Sequence, residues 1–218
     1  MEAGTRILAI ADIHGVLGVY DWLGQIARQY RPDLLILAGD LFAYDSEEGQ
    51  REQARHIIPL LKRVEIPCYY LMGNDDNVGL DYADKQIQPL HGRRFTCGAN
   101  NFVGYQYSPP FVGELFVKTE NQIEDDLHSL ESLLDNDSVF VTHAPAMGVL
   151  DRTYATEHVG SPSLAALLDR RPVLAHIHGH IHESFGREGN HFNVASGGQK
   201  RAFLIGLPSL AHEVLQGS

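Results

Sequence analysis

The chain has 218 residues, 44% hydrophobic and 21% charged, the balance of an ordinary globular protein and a length that suits one domain over residues 1–218. With 17 basic against 28 acidic residues the formal net charge is -11. That excludes a non-specific nucleic-acid binder, which needs a basic face for phosphates. No apolar run approaches the roughly 18 residues that span a bilayer.

The first half alternates buried strands with amphipathic helices. "TRILAIAD" predicts a strand, and "LGVYDWLGQIARQY" a helix with Val19, Trp22, Leu23 and Ile26 on one side. "DLLILAGD" predicts a second strand. "SEEGQREQARHIIPLLKRV" predicts a helix opened by a serine and two acids, with Pro59 as a candidate kink. "IPCYYLMGN" predicts a third strand. Such a βαβαβ order calls for parallel strands in a helix-covered sheet. The middle changes: "RRFTCGANNFVGYQYSPPF" is broken by Gly, Asn and Pro and predicts antiparallel hairpins and a loop. An acidic amphipathic helix follows in "TENQIEDDLHSLESLLD", with Thr119 as its cap. "DSVFVTH" and "RPVLAHIHGH" predict buried strands around a helix, "SPSLAALLDRR", capped by Ser161 with Pro162 in its first turn. The tail predicts short strands in "ESFGREG", "HFNVAS" and "RAFLIGL", while "PSLAHEVLQGS" carries no pattern and is expected to be a loose end. The first strand pattern begins at once with no export signal ahead of it. Cys68 and Cys97, which form no C-x-x-C pair, are therefore expected to be reduced thiols in a cytoplasmic protein.

Five apolar runs end in side chains that bind metals. The first ends in Asp12 with His14 two residues on, the second in Asp40, the third in Asn74, then come His143, and His180 with His182. In open α/β sheets the crevice at the carboxyl ends of the strands is where ligands bind, so these groups converge if the strands are neighbours. Carboxylate, amide and imidazole without thiolate suit Mn, Fe or Zn. Seven ligands are too many for one ion and suit two that share a carboxylate. Two such ions clamp the attacking and leaving oxygens of an in-line displacement and generate hydroxide near neutral pH. The chemistry indicated is metal-assisted hydrolysis at phosphorus. Four histidines alternate in "LAHIHGHIHESFG", and their spacing alone does not say which of them belong to the site.

In order, the motifs are D-x-H (Asp12, His14), G-D (Gly39, Asp40), G-N-D-D (Gly73 to Asp76), a lone His143, and G-H-x-H (Gly179 to His182). This set resembles the calcineurin-like metallophosphoesterase family across residues 12–182. The resemblance implies an α/β fold of two mixed sheets packed as a sandwich between helices, in four layers. It implies two divalent ions, Mn first and Fe or Zn as alternatives, with a metal-bridging hydroxide. Asp12, His14, Asp40 and His182 would hold one ion, and Asp40, Asn74, His143 and His180 the other. The family pattern G-N-H-[DE] is altered here, because Asp75 replaces the histidine that serves as proton donor or phosphate contact. A free aspartate, with a pKa near about 3.9, is ionised at neutral pH and a poor acid. It also repels a dianionic monoester more than a monoanionic diester. The expected activity is hydrolysis of a small phosphorylated substrate, nucleotide-like in one version, with diesters preferred. A phosphomonoesterase and a non-catalytic scaffold on the same fold are the alternatives. Asn74, Asp75 and His178 are the candidates for direct catalytic roles.

Weaker candidates surround this set. His176 is expected to pack or to support the site, and His178 to neighbour it. Glu183 is a candidate to orient a histidine, as ligating histidines generally require. His158, Gly160 and Ser161 precede a helix that offers an anion site, with a plain N-cap the favoured account. Tyr105 and Tyr107 are candidates to stack on a substrate ring.

Overall fold

The computed structural model describes residues 4–80, 85–110, 115–155 and 157–217. Its first sheet has six strands in the order β12-β11-β1-β2-β3-β4. Here β1 is Arg6–Ile10, β2 Leu34–Ala38, β3 Cys68–Leu71, β4 Ile87–Pro89, β11 Arg201–Gly206 and β12 Ala211–Gln216. Strands β1 to β4 run parallel, and β11 and β12 are added antiparallel. The second six-stranded sheet is ordered β5-β6-β7-β8-β10-β9. Its members are β5 Arg94–Cys97, β6 Asn100–Tyr105, β7 Ser138–Thr142, β8 Ala175–His178, β9 Gly186–Glu188 and β10 His191–Asn193. Strands β6, β7, β8 and β10 are parallel, with antiparallel edges at β5 and β9.

The alternation of side chains explains the layers. In β1 and β2, Ile7, Ala9, Leu34 and Ile36 join the core between the sheets, with Val139, Val141, Ile177 and Phe192 from the second sheet. Leu8, Ile10, Leu35 and Leu37 point the other way, into a second core under helices α1 (Leu17–Tyr30) and α2 (Glu47–Lys62). A third core lies under α3 (Glu120–Leu130) and α4 (Pro162–Arg170), built on Val103, Phe140, Leu127 and Leu164. Strands buried on both faces read as continuous apolar runs. Each fully buried Leu, Ile or Phe contributes about 1.5–3 kcal/mol. The fold is therefore α/β with two mixed sheets between helices.

Local signals set the helix ends. Ser46 accepts from the Gly49 N–H ahead of α2, and Thr119 with Gln122 forms a reciprocal capping box on α3. The Ser161 side chain caps α4, with Pro162 in the first turn. Pro59 lies inside α2, which continues to Lys62.

One expectation needs correction, and one strand had no expectation. The C-terminal segment is not a loose end, because β12 pairs along its whole length with β11. Only Leu215 is buried there, so an exposed edge strand left no apolar alternation to see. Strand β4 was also missed, having just three residues, only one of them buried. Phe111, at the end of the expected loop, lies outside the described residues. Among the described residues no helix is long and apolar enough to cross a membrane.

Candidate metal centre

Strands β1, β2, β3, β7 and β8 deliver their carboxyl ends to one region, where the chain turns abruptly. Asp12, His14, Asp40 and His180 all have left-handed backbones, with φ of 55°, 49°, 50° and 72°. This region costs a non-glycine residue about 1–2 kcal/mol and persists only where surroundings enforce it. The enforcement is visible. Asp12 N–H donates to Gly39 O at 2.9 Å and His14 N–H to Asp40 O at 3.0 Å, which stitches the loop after β1 to the loop after β2. Ser196 Oγ and Gly198 N–H both donate to Asp12 O, at 2.9 Å each. Asp76, fully buried, accepts from the N–H groups of Leu41, Phe42 and Gly73, and so joins the loop after β2 to the loop after β3.

Three glycines make the convergence possible. A Cβ at Gly39 would strike the His143 ring, one at Gly73 the Asp40 carboxylate, and one at Gly179 the Asp12 carboxylate. Each glycine immediately precedes a predicted ligand and clears space for a ligand from another strand.

The donor atoms fall into overlapping groups, each within 4.8 Å, that could hold a metal ion: Asp12, His14 and His182; Asp40, His143 and His180; and His14, Asp40 and Asp75. His14 Nε2 faces His182 Nε2 at 3.2 Å, and His182 Nε2 lies 3.3 Å from Asp12 Oδ1. His143 Nδ1 lies 2.9 Å from Ala38 O, an acceptor only, so this nitrogen carries the proton. In the neutral ring, Nε2 then turns a lone pair toward Asn74 Oδ1 at 3.0 Å and Asp40 Oδ2 at 3.6 Å. The Asn74 amide orientation is set by Nδ2 donating to Asp75 Oδ1 at 3.0 Å. Around His143 Nε2 lone pairs face lone pairs, and crowded nitrogen and oxygen atoms of this kind are a ligand set suited to cations, so the residues fit the ions the family implies.

Charge crowding points the same way. Burial drives the Asp40 carboxyl well above its ordinary range, and Asp12, Asp76 and Asp75 add to the rise. Burial also lifts Asp76 to about 6, against its three backbone N–H bonds. For Asp12, burial raises the pKa, but the His182 hydrogen bond and the fields of His143, His182 and His14 outweigh it and hold the carboxyl low. Burial, with His143 beside it, drops His180 to about 3, whereas the Asp12 hydrogen bond raises His182. A divalent cation relieves the carboxylate crowding and favours the neutral imidazoles.

These groups open onto a cavity of about 400 Å³. Asp75 is at its wall, with 21% of its side chain exposed, Oδ2 3.5 Å from His14 Nδ1, and its N–H donating to Asp40 Oδ1 at 2.9 Å. His178 is not brought to the cavity. It is fully buried in β8, with Nδ1 3.4 Å from Gly179 O. His176, equally buried, meets Thr142 Oγ1 at 2.9 Å and His191 Nδ1 at 3.1 Å. Glu183 sits exposed at the cavity rim. The N-terminus of α4 is already taken, because Glu120 Oε2 accepts from Ser161 Oγ and Ser163 N–H. Tyr105 is buried and donates to Asp126, and Tyr107 packs under Lys118, so neither faces the cavity. Two residues at the site gave no sequence signal. Tyr154 lines the cavity, and Arg201 holds the His182 carbonyl.

A fold of two mixed sheets with a histidine–carboxylate cluster at the strand ends defines a class of metal-binding phosphoesterases. The calcineurin-like phosphoesterase family matches residues 5–184, and the chain belongs to it. A protein of Caenorhabditis elegans, UPF0046 protein K07C11.7, is 23% identical in an alignment 175 residues long that covers 71% of this chain and 58% of that protein. The chain thus spans somewhat more than half of that relative's length. Among solved structures, TT1561 of Thermus thermophilus superposes with a TM-score of 0.73 at 16% identity, covering 98% of this chain and 99% of that one. A dimetal phosphatase from Danio rerio superposes with a TM-score of 0.62 at 11% identity over the whole of both chains. At such identities the likeness carries the fold alone.

Proposed function

We propose that this protein is a phosphoesterase working with two divalent ions and preferring phosphodiesters. Asp12, His14, Asp40 and His182 would hold one ion, and Asp40, Asn74, His143 and His180 the other. When bound, such a pair supplies a water acidified to near neutral pH and positive charge for the phosphoryl oxygens. The observation that carries this is the convergence of imidazole nitrogens, carboxylate oxygens and an amide oxygen from five strand ends to within 3.0–3.6 Å of one another. The nitrogen and oxygen donor set suits Mn, with Fe or Zn as alternatives.

The chain's own residues then set the substrate. Asp75 adds a third carboxylate to Asp12 and Asp40 at the cavity, where a histidine would not. His14, 3.5 Å away, and the Asn74 amide keep its side chain facing the site. A unit charge about 5 Å from the phosphoryl group, at an effective dielectric of about 20, is worth ~3 kcal/mol per substrate charge. Solvent screening at this partly exposed group reduces that to about 1 kcal/mol or somewhat more. The extra charge of a monoester is therefore disfavoured by roughly tenfold. His178 is withdrawn from the proton-donor role by its burial behind Gly179.

The test measures metal content and hydrolysis of bis(4-nitrophenyl) phosphate and 4-nitrophenyl phosphate with Mn, Fe and Zn, in wild type and Asp75→His. Bound metal, metal-stimulated diester turnover and a diester-to-monoester ratio that falls about tenfold in Asp75→His support the proposal. No metal and no turnover would refute the enzyme, leaving a scaffold. An unchanged ratio would refute the role of Asp75.

A further inference from the structure

Tyr154 stands out among the residues lining the cavity. The residue is 89% exposed, although it lines the same cavity as His14, Asp40, Asn74, Asp75 and His182. An isolated exposed tyrosine on a surface means little. This one is held on a loop tied down at several points. Asp151, fully buried, accepts from Gly148 N–H at 3.0 Å and Gly160 N–H at 3.1 Å, and also binds His158 Nδ1. Arg152 bridges to His158, and Thr153 N–H donates to Glu157 O at 3.2 Å. Ser184 Oγ donates to Arg152 O at 2.8 Å, which fastens the loop to the segment that carries His182. The ring is thus displayed at the cavity by a braced loop while its own faces stay open to solvent.

The charge at the mouth makes a neutral contact valuable. Asp75 and Glu183 both line the cavity, and among the described residues no lysine or arginine lines it. Tyr154 shares the cavity lining with the uncharged Thr153, Ala155 and Ile181 as well as with the ionisable groups. A cavity of about 400 Å³ has room for more than a phosphoryl group. An exposed tyrosine ring recognises flat π-systems by stacking, with little entropy lost from its two side-chain torsions.

We propose that Tyr154 is the platform on which a flat aromatic group of the substrate stacks. The preferred substrate is then a phosphodiester with an aryl or nucleobase substituent. This rests on the phosphoesterase reading for the chemistry, but the ring contact is measurable without turnover.

The experiment is calorimetric binding of three monoanionic methylphosphonate esters to the Mn-loaded protein: phenyl, cyclohexyl and adenosine 5′. Phenyl and cyclohexyl match in charge and closely in size, and differ in the π-face. Wild type should bind the phenyl ester more tightly than the cyclohexyl ester. The ratio of the two dissociation constants should fall about tenfold in Tyr154→Ala, within the range that loss of a stacking ring produces, and be retained in Tyr154→Phe. Tighter binding of the adenosine ester than of the phenyl ester assigns the ring to a nucleobase, and the reverse to a simple aryl group. A phenyl-to-cyclohexyl ratio near one in wild type, or a ratio unmoved in Tyr154→Ala, would overturn the proposal. Bis(4-nitrophenyl) phosphate turnover is measured alongside. If it is absent while the ratio behaves as expected, the platform stands and the phosphoesterase reading falls.

Discussion

Arg201 lies beyond the 5–184 stretch that matches the family, yet it braces the site. Its Nη2 donates to His182 O at 3.0 Å and to Ala195 O at 2.8 Å, and its Nε to Ser196 O at 3.1 Å. The guanidinium lies 4.3 Å from the centre of the Phe185 ring. Ser196 in turn donates to Asp12 O, so one cation links the segment bearing His182 to the segment that holds Asp12. Arg201→Met keeps the length of the stem and removes every donor. A hydrogen bond from a charged donor is worth about 1.5–3 kcal/mol, and the cation–π contact adds about 0.5–1 kcal/mol. Arg201 is only partly buried, so water recovers part of this, and a net loss of ~3 kcal/mol is expected in urea denaturation of the metal-free protein. The metal readout separates bracing of the site from bracing of the fold. Loss of a partner that orients a ligand costs about 10–100-fold in metal affinity. Titration of Mn into Arg201→Met, below its unfolding midpoint, should therefore show one ion weakened at least tenfold and the other much less. Arg201→Lys should recover part of that. Wild-type affinity for both ions in Arg201→Met, alongside the stability loss, would show that Arg201 serves the fold alone.

Gly73→Ala drives a Cβ into the Asp40 carboxylate, whereas Gly92→Ala, at φ +67°, meets nothing within 4 Å. Overpacking at Gly73 should cost about 1–3 kcal/mol and metal content with it, while Gly92→Ala loses about 1–2 kcal/mol and keeps its metal; equal metal loss in the two would contradict the steric account. Burial holds His176 well below 6.5, with His178 and His191 lowering it further. The unfolded chain takes up that proton near 6.5, so the stability linked to His176 is full above pH 6.5 and is lost as pH falls below it, by up to ~1.4 kcal/mol per pH unit. In metal-free protein, His176→Gln should flatten the stability profile between pH 6.5 and 5, and curves parallel to wild type would show that His176 does not carry it.

Much of the fold was legible because its central strands are buried on both faces. The runs of β1 and β2 are continuous since Ile7 and Leu34 face one core and Leu8 and Leu35 another. Strand β12 was illegible for the opposite reason. Its backbone pairs with β11, but its side chains are exposed apart from Leu215, and pairing through backbone groups leaves no mark on residue type. The cluster that could hold metal was legible because each of its candidate ligands follows an apolar run, and parallel strands bring such ends together. Arg201 and Tyr154 escaped for physical reasons too. Arg201 acts on carbonyl oxygens that every residue possesses, and Tyr154 matters only because a loop braced by Asp151 carries it to a cavity built from distant segments.

The histidine run shows how local backbone decides among like residues. In β8, Ala175 and Ile177 enter the core between the sheets, so His176 and His178 must take the opposite face, where His176 meets Phe140, Thr142 and His191. An unbroken strand would have sent His180 and His182 to that same face. Gly179 interrupts it by admitting the Asp12 carboxylate where a Cβ would stand, and the left-handed His180 turns the chain. His180 then joins Asp40 and His143, and His182 joins Asp12 and His14. A spacing of two residues, uniform in sequence, is thus divided in space by one glycine and one positive φ.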